Sequence, residues 1–251
     1  MNDPVMERTL TEDEKQAFHY EGYVLLRGLL SPESVQAVGA DVLQIMDQIG
    51  LGMTALRQTS EYLAETPVAA LVNSTNLQKI AAVLLEGEAR LYLPFTAVKS
   101  AGGGGAFHFH QDNQYTRFEG PGINLWIALS PMTEENGCLH MVPHSHWVGT
   151  LPSVKDTEGR VHESGITPMV TRSILMEPGD CVAFTRLTLH GSGKNTTEAP
   201  RVAYAVQYAR NDVRYTRDFG QTWKQIAEEG PGWQTGPVEK LTIPEGKRDG
   251  H

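Results

Sequence analysis

Between residues 89 and 209 the chain is a succession of short apolar runs, rich in β-branched and aromatic residues and each cut off by glycine, proline or polar turn residues. They read ARLYLPFTAVK, INLWIALSPM, GCLHMVP, SILME, CVAFTRLTLH and VAYAVQYA. No other feature restricts the fold as strongly. Runs of strand length repeated at short spacing, with no helical pattern between them, predict antiparallel sheet arranged as a sandwich or barrel. The sandwich or barrel is therefore expected over residues 89–210.

The first 88 residues read differently. In LTEDEKQAFHYEG, Thr11 followed three residues later by Glu14 forms a capping-box pattern, and Gly22 supplies a stop, so a helix is predicted there. Ser31 and Pro32 signal a second helix to about residue 49, in which Val35, Val38, Val42, Ile45 and Met46 recur at helical spacing. A third opens at Ser74 and closes at Gly87. Residues 50–74 show no clean period. This mostly helical part, 1–88, is expected to pack on the outside of the barrel. Residues 211–251 read as loops with one helical turn at TWKQIAEE, and both 50–74 and 211–235, the latter with Trp223 and Trp233, are candidate lids.

The length of 251 residues suits one all-β domain with added helices, and no linker-like stretch divides it. Thirty acidic against twenty-one basic side chains leave a net charge of -9, which repels a phosphate backbone, so nucleic acid is not an expected partner. The N-terminal residues lack the pattern of a signal peptide and no window is apolar enough for a membrane span; a cytoplasmic protein is expected. Cys138 and Cys181 each sit in an apolar stretch and read as buried free thiols.

The chemistry concentrates in HFHQD, residues 108–112, two intervening residues after a run of four glycines. On an ideal strand His108, His110 and Asp112 point to one face, and Phe109 and Gln111 to the other. Two histidines and one carboxylate on one face of an octahedral ion are the ligand set of non-haem Fe(II) oxygenases. Either pair, His108 with His110 or His110 with Asp112, satisfies this spacing, and His190, at the end of a later strand-like run, is the candidate third ligand. A His-x-Asp tripeptide alone is a weak motif, and His140, His144 and His146 form a rival zinc-like cluster. Arg201 heads the run RVAYAVQYA on the face of Ala203 and Ala205, where small side chains leave room for a ligand; a buried arginine there implies an anionic cosubstrate or an internal acid.

In this order the residues resemble the phytanoyl-CoA dioxygenase family of Fe(II)- and 2-oxoglutarate-dependent oxygenases. The helical opening LTEDEKQAFHYEGYVLLRGLLSPESV, the lysine and glycine loop in VKSAGGGGAFHFHQD, the stretch NLWIALSPMTEENGCLHMVPHSH and the block MEPGDCVAFTRLTLHGSGKN with its arginine eleven residues after the histidine all carry the likeness. It departs from the family at Pro143-His144-Ser145-His146, where Pro-Gly-Ser-His is usual, and at Phe109, often tryptophan. The resemblance implies a double-stranded β-helix, that is, a jelly-roll, cupin-like core. It implies His110, Asp112 and His190 as iron ligands and Arg201 as the anchor of the far carboxylate of 2-oxoglutarate. Ser192 then assists Arg201, Phe107 stands where ectoine hydroxylases place an aromatic residue against the cosubstrate, Lys99 matches the lysine before the glycine loop, and His146 becomes a framework residue.

The implied activity uses Fe(II), 2-oxoglutarate and O2 to oxidise an unactivated C–H bond of a small molecule, releasing succinate and CO2. A ligating aspartate favours hydroxylation or desaturation over halogenation. The loop after Asp112 differs from the ectoine signature, so ectoine is not the expected substrate. Candidate substrate contacts are Tyr92, Gln111, Gln114, Tyr115, Trp126 and Arg186. Two other classes compete: a cupin-type isomerase or hydrolase using His108, His110 and His190 without 2-oxoglutarate, and a non-catalytic barrel that binds a small ligand. Monomer and homodimer are both compatible with the sequence.

Overall fold

The structure, a computed structural model, describes residues 2–50, 56–155, 161–163, 166–218, 220–227 and 237–242. Its frame is two antiparallel sheets. In the larger, the strands run in the order Tyr23–Leu26, Cys181–Thr185, Gly122–Ala128, Arg201–Arg210, Ala89–Lys99 and Leu56–Arg57. The smaller has the order Arg172–Ile174, Leu139–Met141, His190–Ser192 and Phe107–His110. This is the expected jelly roll, a mainly β core with its helices at the N-terminal end.

Period-two alternation sorts the long strands. Along Gly122–Ala128, Ile123, Leu125 and Ile127 face the helices, whereas Trp126 and Ala128 face the space between the sheets. Along Arg201–Arg210, Val202, Tyr204, Val206 and Tyr208 join the helix-side core, and Ala203 and Ala205 join the inner one. Three further inward positions of these strands are polar and buried: Asn124, Arg201 and Gln207. A chain places polar groups inside only where they have partners or a function, and these are the inner end of the site.

The helices begin where their caps predict. The helix Glu12–Glu21 carries the complete capping box of Thr11 with Glu14 and stops at Gly22, whose φ of 87° is left-handed. A Cβ at Gly22 would also stand 2.4 Å from His146 Nδ1 and 2.8 Å from Thr188 Oγ1, so position 22 is glycine for two reasons. Ser31 caps Pro32–Gln48 and Ser74 caps Thr75–Leu84, and Val38, Val42, Ile45 and Met46 are buried as their spacing requires. The unpatterned segment 50–74 contains a helix the sequence reading lacks, Pro67–Val72, capped by Thr66. Six residues are too few to show a period. The helical turn expected at TWKQIAEE is replaced by the strand Lys224–Gln225, paired with Arg214–Thr216, which in turn pairs with Arg117–Glu119. Trp233 lies outside the described residues. Cys138 and Cys181 are buried and unpaired, as expected.

Candidate active site

A cavity of about 660 Å³ opens between the two sheets. His110, at the end of Phe107–His110, and His190, at the start of His190–Ser192, are cross-strand partners in the smaller sheet. One residue on one strand there, Gly191, opposes two on the other, His108 and Phe109, since His190 pairs with His110 and Ser192 with Phe107. This bulge breaks the alternation: Phe107 and His110 both line the cavity, their rings 4.9 Å apart, and His108 is exposed. The ideal-strand reading that put His108 beside His110 therefore fails, and the ligand set of the cupin alternative does not assemble. Asp112 likewise is not on the strand but opens the short helix Asp112–Tyr115, whose first turn brings its carboxylate to the histidines.

Ligand atoms of His110, Asp112 and His190 all lie within 4.8 Å of one another, the single such group of three among the described residues. The distances from Asp112 Oδ1 are 4.0 Å to His110 Nε2 and 3.9 Å to His190 Nε2. Each imidazole is oriented through its other nitrogen. His110 Nδ1 donates to the carbonyl of His108 at 2.8 Å and His190 Nδ1 to that of Thr188 at 2.9 Å, which makes Nε2 the lone-pair nitrogen turned to the centre. Asp112 Oδ2 faces away and accepts from Gln207 Nε2 at 3.0 Å and Asn124 Nδ2 at 3.4 Å. Two imidazole lone pairs and one carboxylate oxygen are a donor set that fits a divalent first-row ion. The rival histidines are spent elsewhere: His144 and His146 bond the carbonyls of Tyr20 and His19, and His140 meets Ser173.

The cavity also holds two cations. Arg201 and Lys99 are direct cross-strand partners and are 2 % and 1 % exposed. Like charges opposite one another in a sheet repel, and burial adds to the cost. No carboxylate pairs with either among the described residues. Arg201 donates to the carbonyls of Gly137 at 2.8 Å and Ala97 at 3.3 Å, stands over Trp126, and leaves its buried Nε without a partner. Burial pushes its guanidinium down to about 10. Lys99 donates to Ser192 Oγ at 2.8 Å and to the carbonyl of Gly193; burial first, then the charge of Arg201, pushes it down to about 7. A small dicarboxylate that brings an anion to this corner fits it.

Of the remaining candidates, Tyr92, Tyr115, Trp126 and Arg186 line the cavity. Gln111 and Gln114 do not. Gln111 is wholly buried and spans the carbonyls of Gly149 and Leu187 and the amide of Leu151, and Gln114 closes the turn and donates to the carbonyl of Pro152. Sequence reasoning missed Asn124 and Gln207, although alternation from Trp126 and from Arg201 points to each. Residues 58–61, within the candidate lid segment 50–74, form part of the cavity wall, as does Thr242, which the sequence reading did not name.

Comparison with known proteins adds an independent line. The model of the family described as phytanoyl-CoA dioxygenase (PhyH) matches residues 18–203. A probable phytanoyl-CoA dioxygenase of Caenorhabditis elegans is 38 % identical over 130 residues, 48 % of this chain and 42 % of that protein, so the chain spans less than half the length of this relative. A methylphosphonate hydroxylase of Gimesia maris is 27 % identical over 243 residues, covering 90 % of this chain and 92 % of that one. Among solved structures, EvdO2 from Micromonospora carbonacea var. aurantiaca in complex with 2-oxoglutarate superposes with a TM-score of 0.68 at 22 % identity, over 90 % of this chain and 97 % of that chain.

Proposed function

The chain belongs to the phytanoyl-CoA dioxygenase family of Fe(II)- and 2-oxoglutarate-dependent oxygenases, and from that premise we propose that it hydroxylates an unactivated C–H bond of a small-molecule metabolite. The observation that carries the reading is one cavity with two poles: His110, Asp112 and His190 at one, and the buried pair Arg201 and Lys99 at the other. A carboxylate-bearing keto acid between a metal and two cations satisfies both.

His110, Asp112 and His190 would hold the iron, with both imidazoles fixed by their backbone bonds. Arg201 offers the far carboxylate its positive charge, and Ser192, already held by Lys99, lines the same cavity. When bound, iron with 2-oxoglutarate and dioxygen supplies the oxidation of the C–H bond, 2-oxoglutarate leaving as succinate and CO2. The protein's share is positioning and exclusion of water. Phe107 and Trp126 give that corner apolar walls, and Tyr92, Leu93 and Phe95 give the substrate side an aromatic and aliphatic lining suited to a molecule with an apolar body. No helix among the described residues is long and apolar enough to cross a membrane; two unpaired buried thiols suit a reducing compartment, and we place the enzyme in the cytoplasm.

The test is succinate formation from 2-oxoglutarate in air with Fe(II) and ascorbate, with candidate substrates added in turn. His190→Ala is expected to lose turnover by on the order of 1,000-fold while keeping its fold. Turnover equal to the parent in that variant would overturn the assignment.

A further inference from the structure

We propose that Arg186 and Gln207 form a positioning relay that holds Asp112 as a one-oxygen metal ligand; the inference rests on the metal-centre reading above. Arg186 is 4 % exposed and stands over Phe118, its guanidinium carbon 4.1 Å from that ring's centre and 5.1 Å from that of Tyr92. Its NH2 donates to the carbonyls of Asp112 at 2.9 Å and Thr116 at 3.1 Å, which pins the turn that carries the ligand. Its NH1 donates to Gln207 Oε1 at 2.7 Å.

That last bond decides the rest. A glutamine amide alone can present oxygen or nitrogen to a neighbour, but an arginine only donates, so Gln207 must turn its oxygen to Arg186. Its nitrogen is then directed at Asp112 Oδ2, which it reaches at 3.0 Å, with Asn124 Nδ2 on the same oxygen at 3.4 Å. Oδ1 is left as the oxygen that faces His110 and His190. A carboxylate whose second oxygen is engaged by two amides does not swing to chelate through both oxygens, so one more position on the ion stays open for cosubstrate or dioxygen. Gln207 and Asn124 face each other across neighbouring strands, so the clamp is built into the larger sheet.

Gln207→Leu removes the relay but leaves Arg186 on the Asp112 and Thr116 carbonyls, so the turn survives. Gln207→Glu keeps an acceptor for Arg186 yet sets a carboxylate oxygen against Asp112. The experiment titrates metal-free protein with Co(II), reading its visible bands, alongside thermal unfolding. Both variants are expected to unfold near the parent temperature and to bind Co(II) about 10- to 100-fold more weakly, with altered band intensity as Asp112 changes its mode. If Gln207 mattered only as a partner for Arg186, Gln207→Glu would bind as the parent does. Binding within twofold of the parent in either variant overturns the relay. A parent that fails to bind Co(II), or binds it unchanged in His110→Ala, overturns the metal-centre reading and the relay with it.

Discussion

Lys99 shows how one side chain ties the sheet to the chemistry. Its folded value of about 7 lies below its ordinary value of 10.5 because burial and Arg201 both disfavour the charge. Between these values the unfolded chain binds more protons than the folded one, so the group's contribution makes the ligand-free protein more stable as pH rises from about 7 towards 10.5, and adds no slope well below 7. Lys99→Met is expected to flatten that rise, measured as the denaturant midpoint at several pH values; an unchanged slope would show that Lys99 does not titrate there. A bound carboxylate reverses the preference, so 2-oxoglutarate should bind more weakly as pH rises through this range. The sequence marked Lys99 only through its place before the glycine loop. That it opposes Arg201, one buried cation against another, required the strand register.

At the level of elements, the bulge between Phe107–His110 and His190–Ser192 makes the difference between the two ligand sets the sequence left open. A spacing rule assumes an unbroken strand, and on that assumption His108 is as good as Asp112; the extra residue turns His108 outward and Phe107 inward. Gly191 permits the bulge, since a Cβ there would sit 3.0 Å from the Phe107 carbonyl oxygen and 3.2 Å from the Phe109 ring. Gly191→Ala should therefore cost about 1–3 kcal/mol and weaken metal binding, because His190 and His110 ride on the two strands it forces apart. Parent-like denaturation and Co(II) binding would remove the bulge from the account. Elements with caps or long periods were legible beforehand, as Thr11 with Glu14 and the stripe Val38, Val42, Ile45 and Met46 demonstrate. Short elements, such as Pro67–Val72 and Lys224–Gln225, take their form from neighbours rather than from local pattern, and were not.

Across the whole molecule, alternation along two long strands does two jobs: one face builds the helix-side core and the other the site. Arg201, Ala203, Ala205 and Gln207 run along the inner face from the Arg201–Lys99 corner towards Asp112, while Val202, Tyr204, Val206 and Tyr208 anchor the same strand to the helices. The site residues come from segments that meet only in the closed jelly roll, so the ordered motifs located them but their contacts, including the bonds of Gln111 and Gln114 to backbone carbonyls, emerged only from the fold. Binding of Fe(II) and 2-oxoglutarate together in one cavity is measured by anaerobic titration with both, following the weak visible charge-transfer band of a chelated keto acid. A band is expected in the parent, none in His110→Ala, and in Arg201→Ala a band that needs on the order of 100-fold more 2-oxoglutarate, as the loss of charge-assisted hydrogen bonds of about 1.5–3 kcal/mol each implies. An iron-loaded, folded parent that shows no band at saturating 2-oxoglutarate would contradict binding of both in one cavity.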